Sequence, residues 1–171
     1  ININAGEGNN LVTGGAGNDT LAAGDGNDTF VAGAGNDSIT TGNGSDEVRF
    51  EIDNLDTNDV VVGGTGSDQI TLTTAGTLDD GDLTNVSSVE RLVLANGTQD
   101  NTAAFENTVT LSTEAQGAGI VSVTGGSNDD SINASGYTSA VGININAGEG
   151  NNLVTGGAGN DTLAAGDGND T

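Results

Sequence analysis

AGEGNNLVT, GGAGNDTLA, AGDGNDTFV, AGAGNDSIT and TGNGSDEVR follow one another without a gap from Ala5 to Arg49. Three glycine-rich places open most of these nine-residue units, and glycine tolerates φ > 0 because it has no Cβ to clash. Such a run predicts a tight turn that points several backbone carbonyls inward. Position six then adds an acid in four units: Asp19, Asp28, Asp37 and Asp46. Position eight is apolar in all five: Val12, Leu21, Phe30, Ile39 and Val48. One apolar residue between small or polar neighbours reads as a short strand with a single buried face. No unit can bury that residue alone, but stacked units can, which is the logic of a solenoid. A Gly/Asn/Asp-rich disordered linker would share this composition, yet it would not hold five apolar residues in fixed phase.

Carbonyls and a carboxylate on one tight turn suit a hard cation that takes six to eight oxygens, as Ca²⁺ does. Unit Gly14–Ala22 fits G-G-x-G-x-D-x-U-x at every fixed place, U being a large apolar residue. The chain therefore resembles the RTX calcium-binding nonapeptide-repeat proteins. The resemblance implies an all-β, right-handed parallel β-roll with calcium in its turns. It also implies two nonapeptides per turn, with each ion between units i and i+2, so that Asp19 shares an ion with Asp37, and Asp28 with Asp46. Asn10 stands where the first unit should have an acid, and an amide oxygen brings no charge.

Beyond Arg49 the phase slips at Phe50–Asp53. Asn54–Val62 fits weakly, with Asp59 at position six, and Gly63–Thr71 fits well, with Asp68. Residues 72–124 lack the nonapeptide but carry short β-rich runs at Gln69–Thr74, Val89–Leu94, Thr108–Leu111 and Ile120–Thr124. They read as the same solenoid continued in calcium-poor, irregular turns, with a turn of helix expected at Leu83–Val86 or Thr102–Asn107. A separate small β-domain is the other reading of this stretch. Gly125–Asn133 returns to the pattern with Asp130, and Ala134–Gly142 reads as a connection. The expected metal ligands are thus Asp19, Asp28, Asp37, Asp46, Asp59, Asp68, Asp130, Asp161 and Asp170, with Asn10 and Asn152 as uncharged members.

Residues 1–29 and 143–171 are identical letter for letter. The chain is expected to be one 142-residue tandem unit, 1–142, followed by the start of the next, 143–171. Within the unit, 5–71 is the calcium-binding roll, 72–124 the irregular solenoid and 125–142 a repeat plus connection. Seven or eight rungs per unit are expected, on a longer array.

The net charge is −23 with only Arg49 and Arg91 as cationic side chains. That excludes the basic patches nucleic acid needs and the attraction to anionic membrane surfaces. No apolar run is long enough to span a bilayer. Cysteine and histidine are absent, and so is lysine, which removes the commonest bases and nucleophiles; no enzyme activity is expected. The run Val89–Val109 is similar in style to bacterial surface-layer proteins and giant extracellular adhesins. The resemblance implies a secreted, extracellular structural protein that self-associates into a surface layer, filament or fibre, or else an adhesin stalk; a secretion domain of an RTX enzyme or toxin is a third reading. It also implies export by a type I route, with low cytoplasmic calcium keeping the chain unfolded until release.

Overall fold

The computed structural model of the chain describes residues 1–97 and 105–171. Every strand pair in it is parallel. An eight-stranded sheet runs the length of the molecule through Leu11–Ala16, Thr29–Ala34, Glu47–Phe50, Gln69–Leu72, Arg91–Val93, Ser122–Thr124, Asn144–Asn146 and Thr162–Ala164. Facing it, a five-stranded sheet of Asn2–Asn4, Thr20–Ala22, Ser38–Thr40, Val60–Val62 and Val86–Ser87 hands over to a four-stranded one. The latter consists of Thr77–Leu78, Asn107–Thr110, Asp130–Asn133 and Leu153–Thr155.

The chain alternates between the faces, so each unit stacks on the second one along. Val12 pairs with Phe30 and Leu21 with Ile39. The expected parallel β-roll with two nonapeptides per turn is what the chain forms. Its U residues point inward from both faces: Val12, Leu21, Phe30, Ile39, Val48, Val61, Ile70 and Leu92 are all buried. The phase slip at Phe50–Asp53 becomes a 3₁₀ turn at Ile52–Asn54. It lengthens the turn and adds Phe50, Ile52 and Leu55 to the core without breaking register, since Ile39 pairs with Val61 and Val48 with Ile70.

The irregular part continues the same ladder, with Ile70 on Leu92 and Leu92 on Val123. Two features depart from the sequence reading. The helical turn lies at Asp80–Leu83, meeting the expected Leu83–Val86 only at Leu83, and a six-residue helix forms at Thr113–Ala118. The helix packs on the Asp80–Leu83 turn and on Val86–Ser87, at the end of the five-stranded sheet. Of the alternative turn at Thr102–Asn107, residues 102–104 lie outside the described residues, and Asn107 opens a strand. Tyr137, in the connection 134–142, is buried and donates its hydroxyl to the Ile120 carbonyl at 2.7 Å.

Identical segments end up on opposite faces. Ile3 belongs to the five-stranded sheet and Ile145 to the eight-stranded one. Counting strands between them, the 142-residue offset spans about six and a half turns, fewer than the seven or eight expected. At a rung spacing of about 4.8 Å that is roughly 31 Å along the axis.

Candidate metal centre

The turns between faces bring the position-six acids into two files. In the file that feeds the eight-stranded sheet, the Asn10 N–H donates to Asp28 Oδ1 at 2.7 Å, Asp28 N–H to Asp46 Oδ1 at 2.7 Å, and Asp46 N–H to Asp68 Oδ1 at 2.9 Å. In the other file the Asp19 N–H donates to Asp37 Oδ1 at 2.9 Å and Asp37 N–H to Asp59 Oδ1 at 2.8 Å. One oxygen of each carboxylate is thus spent on the rung before it. The other is not: Oδ2 of Asp19, Asp28, Asp37, Asp46 and Asp68 is buried without a hydrogen-bond partner.

A buried, unpartnered carboxylate oxygen is costly unless something positive meets it. The orphaned oxygens also have company. A Cβ placed on Gly14 would lie 2.6 Å from Asp19 Oδ2 and 2.3 Å from the Ala32 carbonyl oxygen of the next rung. On Gly63 it would meet Asp68 Oδ2 at 2.9 Å and the Ser88 carbonyl at 1.9 Å; on Gly125 it would meet the Ala147 carbonyl at 2.2 Å and, at 2.5 Å, Asp130 Oδ2, which accepts from the Gly126 N–H at 3.2 Å and so is not orphaned. The same pair, a carboxylate oxygen and a main-chain carbonyl of the following rung, recurs over the first glycine of three units. Two kinds of oxygen, one of them charged, held together in a cradle that a side chain would fill, fit a hard cation.

Burial raises the carboxylates of Asp37, Asp59 and Asp130 above the ordinary range. Asp68 is pushed up to about 6, first by burial and then by the nearby Asp46 and Glu90 carboxylates. A site that resists charge in the metal-free state is one a cation relieves.

Of the eleven residues expected from sequence, Asp19, Asp28, Asp37, Asp46, Asp59, Asp68, Asp130 and Asn152 are buried. Asn10, Asp161 and Asp170 are partly exposed at the two ends of the roll. Asp130 joins a third run in which it accepts 2.7 Å from Asn107 Nδ2, while its own N–H donates to Asn152 Oδ1 at 2.8 Å and Asn152 N–H to Asp170 Oδ1 at 2.8 Å. Two members were missed. The Glu90 Oε2 accepts from the Asp68 N–H at 2.7 Å, continuing the first file, and Asn107 sits in register with Asp130. Neither lies in a glycine-rich turn. The signal that finds them is the two-residue step from ligand to core residue: Asp68 to Ile70, Glu90 to Leu92, Asn107 to Val109, Asp130 to Ile132.

Four stretches, residues 2–30, 22–54, 55–72 and 144–171, match the family model of the RTX calcium-binding nonapeptide repeat. Together they cover more than half of the chain. Neither curated proteins nor solved structures yield a match.

Proposed function

The chain belongs to the RTX calcium-binding nonapeptide-repeat family, and from that premise we propose that it is a calcium-rigidified rod module of an extracellular structural protein. Its repeats bind several Ca²⁺ ions, and repeats of this kind are typical of secreted proteins. We assign the ions to Asp19, Asp28, Asp37, Asp46, Asp59, Asp68, Asp130, Asp161 and Asp170. Asn10 and Asn152 are uncharged members, and Glu90 extends the first file. Bound calcium supplies positive charge to carboxylates that otherwise repel one another; the chain supplies glycine turns that hold the oxygens and a core that fixes the rung spacing.

The observation that carries the rod is the ladder across the repeat boundary. Val123 pairs with Ile145 and Ile145 with Leu163 on one face, while Ile132 pairs with Val154 on the other. Strand pairing leaves no hinge between the 142-residue unit and the start of the next. Successive units sit half a turn apart, so whatever one unit shows on one side the next shows on the other. That two-sidedness supports a layer or filament. A stalk that only spaces a binding domain uses the same rod, and the charge of −23 favours it wherever calcium is too scarce to offset repulsion between neighbouring rods.

Electron microscopy of a four-unit tandem in calcium tests the reading. Straight rods lengthening by roughly 31 Å per unit are expected, and lateral ordering of those rods separates a layer or filament from a stalk. Beads joined by flexible linkers would end the rod account. Export by a type I route, before calcium is met, belongs to the same proposal.

A further inference from the structure

The strand pair Arg91–Val93 and Ser122–Thr124 leads into two stacked turns, residues 95–97 and 125–130. Between them three amide atoms are buried and meet no hydrogen-bond partner among the described residues: Asn107 Oδ1, and both Oδ1 and Nδ2 of Asn128. Asn107 Nδ2 donates to the Ala95 carbonyl at 3.0 Å and to Asp130 Oδ1 at 2.7 Å. Those two acceptors fix which end of the amide is which, so the bare atom of Asn107 is its oxygen. Asn128 is 2% exposed and stands where the regular unit has its third glycine. Whichever way its amide is turned, one buried oxygen is left without a donor. Asp130 answers none of these oxygens. It is itself an acceptor, and each of its own oxygens already has a donor, Asn107 Nδ2 on Oδ1 and the Gly126 N–H on Oδ2.

A carboxylate reaches the same gap from outside the nonapeptide pattern. A Cβ built on Gly97 would lie 1.5 Å from Glu106 Oε2 and 2.8 Å from Asn128 Nδ2, so acid and amide share the space over that glycine. A Cβ on Gly126 would meet Asn96 Oδ1 at 2.7 Å and the Ala95 carbonyl oxygen at 2.9 Å. Glu106 forms no ion pair among the described residues. One uncompensated carboxylate, two buried amide oxygens without donors and further oxygens at the rim call for a hard cation. We propose that this gap holds a calcium ion of its own, in the segment that lacks the nonapeptide, ligated by Glu106, Asn107 Oδ1 and Asn128 Oδ1. The Asn128 amide presents its oxygen to the ion, and the Asn96 side chain and the Ala95 carbonyl close the rim. A bridging water would meet the amides but would leave Glu106 unbalanced. With a single charged ligand the site binds more weakly than the files of aspartates, so it fills after the nonapeptide blocks have folded. Its ion ties the turn at 95–97 to the block that begins at Gly125, and so stiffens the join between the irregular stretch and the next regular one.

The proposal rests on the roll folding in calcium, and circular dichroism checks that premise separately from this site. The test is a titration of the full chain with calcium alone, in which nuclear magnetic resonance follows the Asn128 side-chain amide and the Gly97 N–H. Both signals should shift in a step at higher calcium than the step that folds the nonapeptide blocks. Glu106→Gln keeps the shape and removes the charge. It should raise the midpoint of the later step about ten-fold or more and leave the folding step where it was. Gly97→Ala is the second variant. Gly97 lies outside the left-handed region, so its backbone accepts alanine, but the new Cβ takes the place of Glu106 Oε2 and should raise the midpoint as well. Glu114→Gln, in the Thr113–Ala118 helix of the same irregular stretch, should change neither step. Crystals grown in calcium give a direct view, and an anomalous-scattering peak is expected between Glu106 and Asn128. A folded Glu106→Gln protein whose midpoint is unchanged, or an ordered water without anomalous signal in the gap, overturns the proposal. Failure of the blocks to fold in calcium would remove the premise and the proposal with it.

Discussion

The Asp37 N–H donates to Asp59 Oδ1 at 2.8 Å although 22 residues separate the two, where the regular turn allows 18. The longer loop is absorbed away from the file, so the row of carboxylates runs on through a gap in the repeat. Asp37 also carries a buried Oδ2 with no partner. If calcium answers that oxygen, Asp37→Ala should raise the calcium concentration needed for half-folding by about ten-fold or more, a shift of ~1.4 kcal/mol. Asp82→Ala, in a 3₁₀ turn where the carboxylate only accepts from the Asp79 N–H at 3.0 Å, should move it far less. A calcium titration followed by circular dichroism compares the two; equal midpoints would remove Asp37 from the ion site.

Without metal, the pH dependence should run the opposite way to ordinary acid denaturation. Asp68 is raised from 3.8 to about 6 by burial and then by Asp46 and Glu90, and Asp37, Asp59 and Asp130 shift in the same direction. The folded state therefore holds protons the unfolded chain gives up. Stability from these groups is present below about pH 4 and is lost as pH rises toward 6. In chelator, β content should grow on acidification from pH 7 to 4; in calcium it should fall as protons displace the ions. A chelated protein that loses structure on acidification would contradict the burial argument.

Glycine matters where turns stack. Gly66 has φ +135°, and a Cβ there would lie 1.5 Å from the Gly44 carbonyl oxygen of the previous rung. Gly66→Ala should lower stability by about 1–3 kcal/mol or more, from strained backbone and displaced turns together. Gly81 sits in the Asp80–Leu83 turn with open space around it, so Gly81→Ala should be within about 1 kcal/mol of neutral and in the stabilising direction. Thermal unfolding in calcium ranks the pair.

The calcium-poor middle depends on a different carboxylate. Asp80 accepts hydrogen bonds from the Ser112 N–H at 2.6 Å, the Ser112 hydroxyl, the Glu114 N–H at 3.1 Å and the Ala115 N–H at 3.0 Å. Burial raises its pKa, but these donors outweigh burial and hold it below the ordinary carboxylate range. It thus anchors the start of the Thr113–Ala118 helix from a distant turn. Asp80→Ala should cost about 1.5–3 kcal/mol, the range for hydrogen bonds to a charged group. It should also speed amide exchange at Ala115 while leaving the Asp37 region unchanged. Uniform exchange along the chain would show that the anchor is not local.

Phase made the roll legible. Five apolar residues nine apart fixed the alternation of faces, and Asp59 and Asp68 could be placed across the Phe50–Asp53 slip because each stands two residues before a buried Val61 or Ile70. Glu90 was missed because SSVERLVL carries no glycine turn to flag it, though its spacing to Leu92 obeys the same rule. The Thr113–Ala118 helix was missed because six residues are too few for helical periodicity to show. Its support comes from Asp80, more than 30 residues away, and from a left-handed Gly119 at its end. The half-turn offset between Ile3 and Ile145 lay beyond reading altogether, because it depends on how many half-turns the irregular segment makes.

If calcium is a folding ligand of this chain, its removal must leave the stacked carboxylates unbalanced. Like charges about 4 Å apart cost ~1 kcal/mol in water and ~4 kcal/mol at an effective dielectric of 20. Several such pairs in file would exceed a typical net stability of ~5–15 kcal/mol. Far-ultraviolet circular dichroism of the protein at neutral pH, in exhaustive chelator and then in millimolar calcium, measures this directly. A disordered spectrum for the nonapeptide blocks is expected in chelator, with a cooperative rise of β signal on adding calcium. A β-rich spectrum that survives chelation unchanged would show that Val12, Leu21, Phe30 and their stacked neighbours hold the roll by themselves, and calcium would lose its place in the fold.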